Sequence, residues 1–181
     1  TSNYDANGNL LASVDALGNT TTYVYDGFDR TTKVTDAAGH YRETDYDANS
    51  NVTESRAFDS LGALLAKSQT TYDEINRGYT SRRLANDHLG NPIGDGWATG
   101  TSVLDKNSRT VSSTNDNGVT SYMFYDGANR VKFTRDAVGN EVHPVYNAHG
   151  VALRTNYREV NQLTSAVEIS HEEVEITRQD T

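Results

Sequence analysis

The sequence has no cysteine, two prolines, one methionine and one tryptophan in 181 residues. The missing cysteine excludes disulfides, Cys-ligated zinc and thiol nucleophiles together. Clustered cations are also missing. Lys and Arg number 16 against 25 Asp and Glu, the formal net charge is −9, and no basic run exceeds the pair Arg82-Arg83. Counterion release from nucleic acid therefore has no source, and nucleic acid is not expected as a partner. No stretch approaches the roughly 20 apolar residues of a membrane-spanning helix. The opening Thr1-Ser2-Asn3-Tyr4-Asp5 has neither a start Met nor a basic-then-apolar signal, so the chain reads as an excerpt of a longer polypeptide. Only 35% of residues are apolar, and they are scattered singly, which predicts a thin sheet and not a thick globule.

What the sequence does have is aromatics and a repeat. Eleven tyrosines, four phenylalanines and the one tryptophan argue against disorder. Tyr4-Asp5, Tyr25-Asp26 and Tyr46-Asp47 share one spacing, which returns at Leu104-Asp105, Tyr125-Asp126 and Tyr146-Asn147. A second Asp or Asn falls midway at Asp15, Asp36, Asn115 and Asp136. Each of these residues opens a quartet that usually ends in Gly, as in Asp5 to Gly8, Asp15 to Gly18, Asp36 to Gly39 and Asp136 to Gly139. The first side chain can accept a hydrogen bond from the backbone two residues on, and the fourth residue supplies a left-handed conformation. Asp29, Asn76 and Asn129 tolerate that conformation better than most residues; Ser50 and Ser108 are weaker substitutes, where looser turns are expected.

Between quartets lie segments rich in Thr, Val, Tyr and Leu, the pattern of strands. Short turns force antiparallel neighbours. The expected fold is all-β, a repetitive antiparallel β-meander with essentially no helix in residues 4–73, in which Tyr4, Tyr23, Tyr25, Tyr46, Tyr125 and Tyr146 pack on the sheet. The register stays open between two forms: a three-residue hairpin loop with a glycine bulge at Gly18 would set Tyr23 against Leu11, and an unbulged four-residue loop would set it against Leu10, the bulged form being favoured as the common one. The expected organisation is repeats over 1–73, an irregular Gly/Pro-containing insertion over 74–103, repeats over 104–163 and one or two C-terminal strands over 164–181, all in one continuous sheet.

The run Tyr4-Asp5-Ala6-Asn7-Gly8-Asn9-Leu10, then Asp15-Ala16-Leu17-Gly18, then Tyr23-Val24-Tyr25-Asp26 resembles the RHS, or YD-repeat, family. The resemblance runs from Tyr4 to about Leu163, with an interruption between about Glu74 and Val103. It implies a spiral β-shell that encloses a C-terminal toxin domain in secreted bacterial members and insecticidal toxin complexes. A similar shell belongs to the cell-surface teneurins. The expected partners are the rest of the chain's own shell and the enclosed toxin domain. The family's core-terminating segment and autocleavage site are not recognisable here.

Other chemistry is weaker. The Asp- and Asn-rich turns contain oxygen ligands that suit calcium, but no twelve-residue calcium loop with its terminal Glu, so turn chemistry accounts for them and no cofactor is expected. The five histidines are dispersed, and His143 and His149 lack a third ligand. With no Gly-x-Ser-x-Gly elbow, the chain is expected to be non-enzymatic. The alternative to a shell is a cell-surface adhesion or carbohydrate-binding module, for which Tyr41, Tyr79 and Trp97, outside the Tyr-Asp frame, are the candidate contacts. Poorly guarded strand edges point to self-association.

Overall fold

A computed structural model describes residues 1–160 and the backbone of 167–173. The described residues contain strands and turns and no helix. They fall into two compact units, Thr1–Thr99 and Gly100–Thr181.

The first unit holds β1 (Ser2–Tyr4), β2 (Leu10–Val14), β3 (Thr20–Tyr25), β4 (Thr31–Thr35), β5 (Tyr41–Tyr46), β6 (Val52–Phe58), β7 (Leu64–Tyr72) and β8 (Gly78–Asn86). β9 (Pro92–Leu104) begins in this unit. The second unit continues with β10 (Thr110–Thr114), β11 (Thr120–Tyr125), β12 (Val131–Arg135), β13 (Glu141–Tyr146), β14 (Ala152–Val160) and β15 (Val167–Glu173). Within each unit sequential strands are antiparallel neighbours. The expected strand over Val174/Ile176 lies outside the described residues.

The β2–β3 register pairs Ala12 with Thr22 and Val14 with Thr20; extended by one step it sets Leu11 against Tyr23, the register of the glycine-bulged loop. Segment 74–103, read from the sequence as an irregular insertion, contains β8 and β9 joined by a turn in which the Gly90 N–H bonds the Asp87 carbonyl at 3.0 Å. Its irregularity is confined to Gly94 (φ 61°) and Gly96 (φ 86°) inside β9. No large apolar side chain among the described residues is buried. With one layer of strands there is nothing to bury against, so order must come from ladders, turns and contacts along each face.

Candidate functional site

The repeated unit is a turn held by its first carboxylate. In Asp15 to Gly18 the Gly18 N–H bonds the Asp15 carbonyl at 3.2 Å, and the Asp15 N–H bonds the Asn19 carbonyl at 3.0 Å. Asp15 Oδ1 accepts the N–H groups of Leu17 (2.8 Å) and Asn19 (2.9 Å), while Oδ2 accepts Asn19 Nδ2 (2.8 Å). The same backbone pattern recurs in thirteen turns among the described residues. The fifth residue therefore matters as much as the fourth: Asn9, Asn19, Asn51 and Asn140, or Arg30, Arg77, Arg109 and Arg130, reach back to the leading carboxylate. Sequence reasoning missed this, although the fifth-position Asn or Arg is visible in the sequence.

These bonds favour the ionised carboxylate. The Asn9 N–H is the main cause that holds the Asp5 carboxyl below its ordinary range, and at Asp26 it is the Arg30 side chain. Asp15, Asp36, Asp47, Asp73, Asp87, Asp105, Asp126 and Asp136 are lowered too.

The turns alternate between two edges, and the edges differ. On one edge the fourth residue is always glycine: Gly18, Gly39, Gly62 and Gly90 in the first unit, Gly118 and Gly139 in the second. On the edge that carries the Tyr-Asp pairs it is Asp29 (φ 59°), Ser50 (φ 67°), Asn76 (φ 64°), Ser108 (φ 61°) and Asn129 (φ 63°), besides Gly8 and Gly150. The side chains of Asp29, Ser50, Asn76 and Asn129 are acceptors for the preceding turn on the same edge. Asp29 Oδ1 accepts from Asn7 (3.1 Å) and Asn9 (2.6 Å), and Asn76 Oδ1 accepts from Asn51 (2.9 Å). Ser50 Oγ accepts from Arg30 (3.2 Å), and Asn129 Oδ1 from Arg109 (2.8 Å). The turns ending in Ser50 and Ser108 are not looser: their closing bonds are 3.1 and 3.0 Å, within the range of the glycine turns.

The tyrosine before each Asp completes the link. Tyr25, Tyr46 and Tyr72 donate their hydroxyls to the carbonyls of Leu10, Thr31 and Val52 (3.0, 2.8 and 3.0 Å). Tyr125 and Tyr146 donate to Thr110 and Val131 (2.8 and 3.0 Å). Each acceptor is the first residue of an earlier strand, where the chain leaves the previous turn on that edge. The arginine of that turn lies over the next tyrosine ring, Arg30 on Tyr46 (4.6 Å), Arg109 on Tyr125 (4.4 Å) and Arg130 on Tyr146 (4.7 Å), a cation–π geometry. Register shifts fall at these Tyr-Asp junctions, as at Val24/Tyr25 and Phe124/Tyr125. Tyr4 is more than half exposed, and Tyr23 faces Val34.

The faces carry ladders of their own. In the first unit Tyr41 stacks on Phe58 (4.6 Å) and receives Lys33 (3.7 Å). Lys33 pairs with Glu43 at 3.4 Å, Arg56 joins Glu43, Asp45 and Glu54 at 3.5, 3.1 and 2.6 Å, and Lys67 meets Glu54 at 2.9 Å. Partial burial opposes ionisation of Glu54, but Gln69 and Lys67 outweigh it and lower its pKa. Arg82 ends the ladder over Trp97 (4.5 Å). The Tyr41 and Trp97 rings are thus engaged, whereas Tyr79 lines a cleft of about 680 Å³ with Tyr72, Asp73, Glu74, Ile75 and Arg77. In the second unit Phe124, Phe133 and His143 stack in a row (4.1 and 4.9 Å), and His143 Nε2 meets Glu141 at 2.7 Å. The His149 N–H bonds Asn147 Oδ1 in the turn. No cluster of three or more metal-ligating side chains occurs among the described residues.

These observations define a repeat-built antiparallel β protein whose strands are joined by carboxylate-held turns. Residues 4–41 match the family described as RHS Repeat, and the same turn chemistry continues to Gly150. That match identifies residues 4–41 as RHS, or YD, repeat sequence. No curated protein matches it in sequence. Among solved structures it is similar to TcdB2-TccC3-Cdc42, at 14% identity and a TM-score of 0.50 over 91% of this chain and 11% of that one. TcdB2-TccC3 matches at 15% identity and 0.49, over 92% and 11%. The Tc holotoxin pore of Photorhabdus luminescens matches at 9% and 0.33, over 92% and 13%. The chain thus spans about a tenth of the length of these structures, and the first of these likenesses concerns the fold alone.

Proposed function

We propose that the chain is a non-enzymatic shell segment of a secreted bacterial RHS/YD-repeat protein, whose sheet encloses or displays a toxin polypeptide. The observation that carries this reading is the turn-to-turn link along the Tyr-Asp edge. Turns on that edge are fastened to one another by side-chain acceptors and tyrosine clamps, so the sheet grows by adding units and needs no packed core. That is the construction a wall requires. The similarity to toxin-complex structures supports the same reading. The test is limited trypsinolysis of the full-length protein: the polypeptide that follows the repeats should resist cleavage until the sheet is unfolded. Cleavage at the same rate in native and unfolded protein would rule enclosure out.

A second reading, a carbohydrate-binding surface module, is favoured by one feature, the Tyr72/Tyr79 cleft with its carboxylates and Arg77. A glycan array with hits lost on Tyr79→Ala and kept on Trp97→Ala would support it. An array without hits would remove it.

A further inference from the structure

The four strands β5 to β8 present different chemistry on their two faces. Directly paired residues share a face. Arg42 pairs with Ala57 and Ala57 with Ala66; Ser55 pairs with Ser68 and Ser68 with Arg83. These six residues line one trough of about 320 Å³ together with Leu65, Lys67, Leu84 and Asn86, and its Ser and Ala residues lie between the two arginines. Arg42 Nη1 donates to Ser55 Oγ at 3.3 Å. Neither Arg42 nor Arg83 has a carboxylate partner among the described residues. All three carboxylates of these strands, Glu43, Asp45 and Glu54, belong to the opposite face, where Lys33, Arg56 and Lys67 neutralise them. A chain of net charge −9 therefore keeps an acid-free, cationic stretch on one face of its first unit.

We propose that this trough is a docking surface for an acidic, extended stretch of polypeptide. The inference rests on the shell reading and deepens it, by naming the chemistry of the polypeptide that touches the sheet. Charge complementarity selects the occupant. A planar guanidinium takes a carboxylate through two parallel N–H bonds, and the Ser55 and Ser68 hydroxyls can serve main-chain groups. The arginines stand three strand spacings apart and two residues out of line along the strands, about 16 Å at the backbone. Carboxylates roughly two to four residues apart on one side of an extended chain, with the reach of the arginine side chains, span that gap. The Ser and Ala residues between the arginines leave room for such a chain to approach the sheet, with Leu65 and Leu84 beside it.

Fluorescence anisotropy of a labelled oligo-glutamate peptide, with oligo-lysine as its counterpart, tests this on the 181-residue protein. Oligo-glutamate should bind and weaken as salt rises from about 0.02 to 0.15 M. The pair Arg42→Ala and Arg83→Ala should weaken binding by about tenfold or more, and Arg42→Lys with Arg83→Lys by less. Arg82→Ala, on the opposite face, should leave it within about twofold. Equal binding of both peptides, no binding, or an equal loss with Arg82→Ala would overturn the proposal. So would displacement by millimolar sulfate at constant ionic strength, which assigns the trough to a small oxyanion. Peptide binding without trypsin protection would sink the shell reading and spare the trough; protection without peptide binding would do the reverse.

Discussion

At the residue scale the left-handed turn position follows two rules within one chain. On the glycine edge the requirement is steric. Around Gly18 an added methyl would meet open space, whereas at Gly139 (φ 99°) a Cβ would lie 3.1 Å from Val160 Cγ2. Gly139→Ala should therefore cost more than Gly18→Ala, by about 1 kcal/mol, in urea unfolding. On the Tyr-Asp edge the requirement is chemical. Replacing Asn129 by glycine relieves the strain of φ 63° but removes the acceptor for Arg109. Relief of about 1 kcal/mol of left-handed strain, partly offset by the greater unfolded-state freedom of glycine, competes with a hydrogen bond to a charged group worth about 1.5–3 kcal/mol. Asn129→Gly should thus destabilise in the same urea experiment, although glycine is the commoner residue at such a turn. The Asp-x-x-Gly signal was legible because its bonds lie within five residues. The acceptor role of Asp29, Ser50, Asn76 and Asn129 was not, because each donor sits about twenty residues away and only the register brings it close.

At the scale of the strand, the tyrosine acts through its hydroxyl as well as its ring. Tyr25→Phe or Tyr146→Phe leaves an exit carbonyl unpaired and should cost about 0.5–1.5 kcal/mol by chemical denaturation. Tyr4→Phe, at a largely exposed ring, should be neutral. The alternation of Leu, Val and Tyr was enough to read the strands, and the bulge chemistry of Gly18 was enough to favour one of two β2–β3 registers without fixing it. Segment 74–103 was harder to read because its glycines and Pro92 mimic loop composition, while the Asp87 turn and the extended β8 and β9 continue the strand-turn-strand pattern through it. Tyr41 and Trp97 looked available for a ligand because their stacking and cation–π partners, Phe58, Lys33 and Arg82, come from other strands.

For the whole molecule, the absence of buried apolar side chains among the described residues shifts the burden of stability to turns and ladders, and so to charge. The turn carboxylates have folded pKa values below their unfolded ones. A group depressed on folding stabilises above its unfolded pKa, near 4, and that stabilisation is lost as pH falls through the folded value. Circular dichroism should therefore show the β signal constant from neutral pH to about 5 and lost in a steep transition below about 4. The β1 edge, Ser2–Tyr4, is exposed and uncharged, so sedimentation of the 181-residue chain should show association that rises with concentration.

The central claim is that the turn carboxylates hold this sheet, and amide hydrogen exchange tests it most directly. The N–H groups of Leu17, Asn19, Phe28 and Arg30 lie in or beside hairpin turns, where amides ordinarily exchange fast, yet each is bonded to an Asp Oδ1. They should be protected to nearly the degree of the β2 and β3 amides, and Asp15→Ala should release Leu17 and Asn19 while leaving Phe28 and Arg30 slow. Free exchange of all four in the native protein, beside protected strands, would contradict the account.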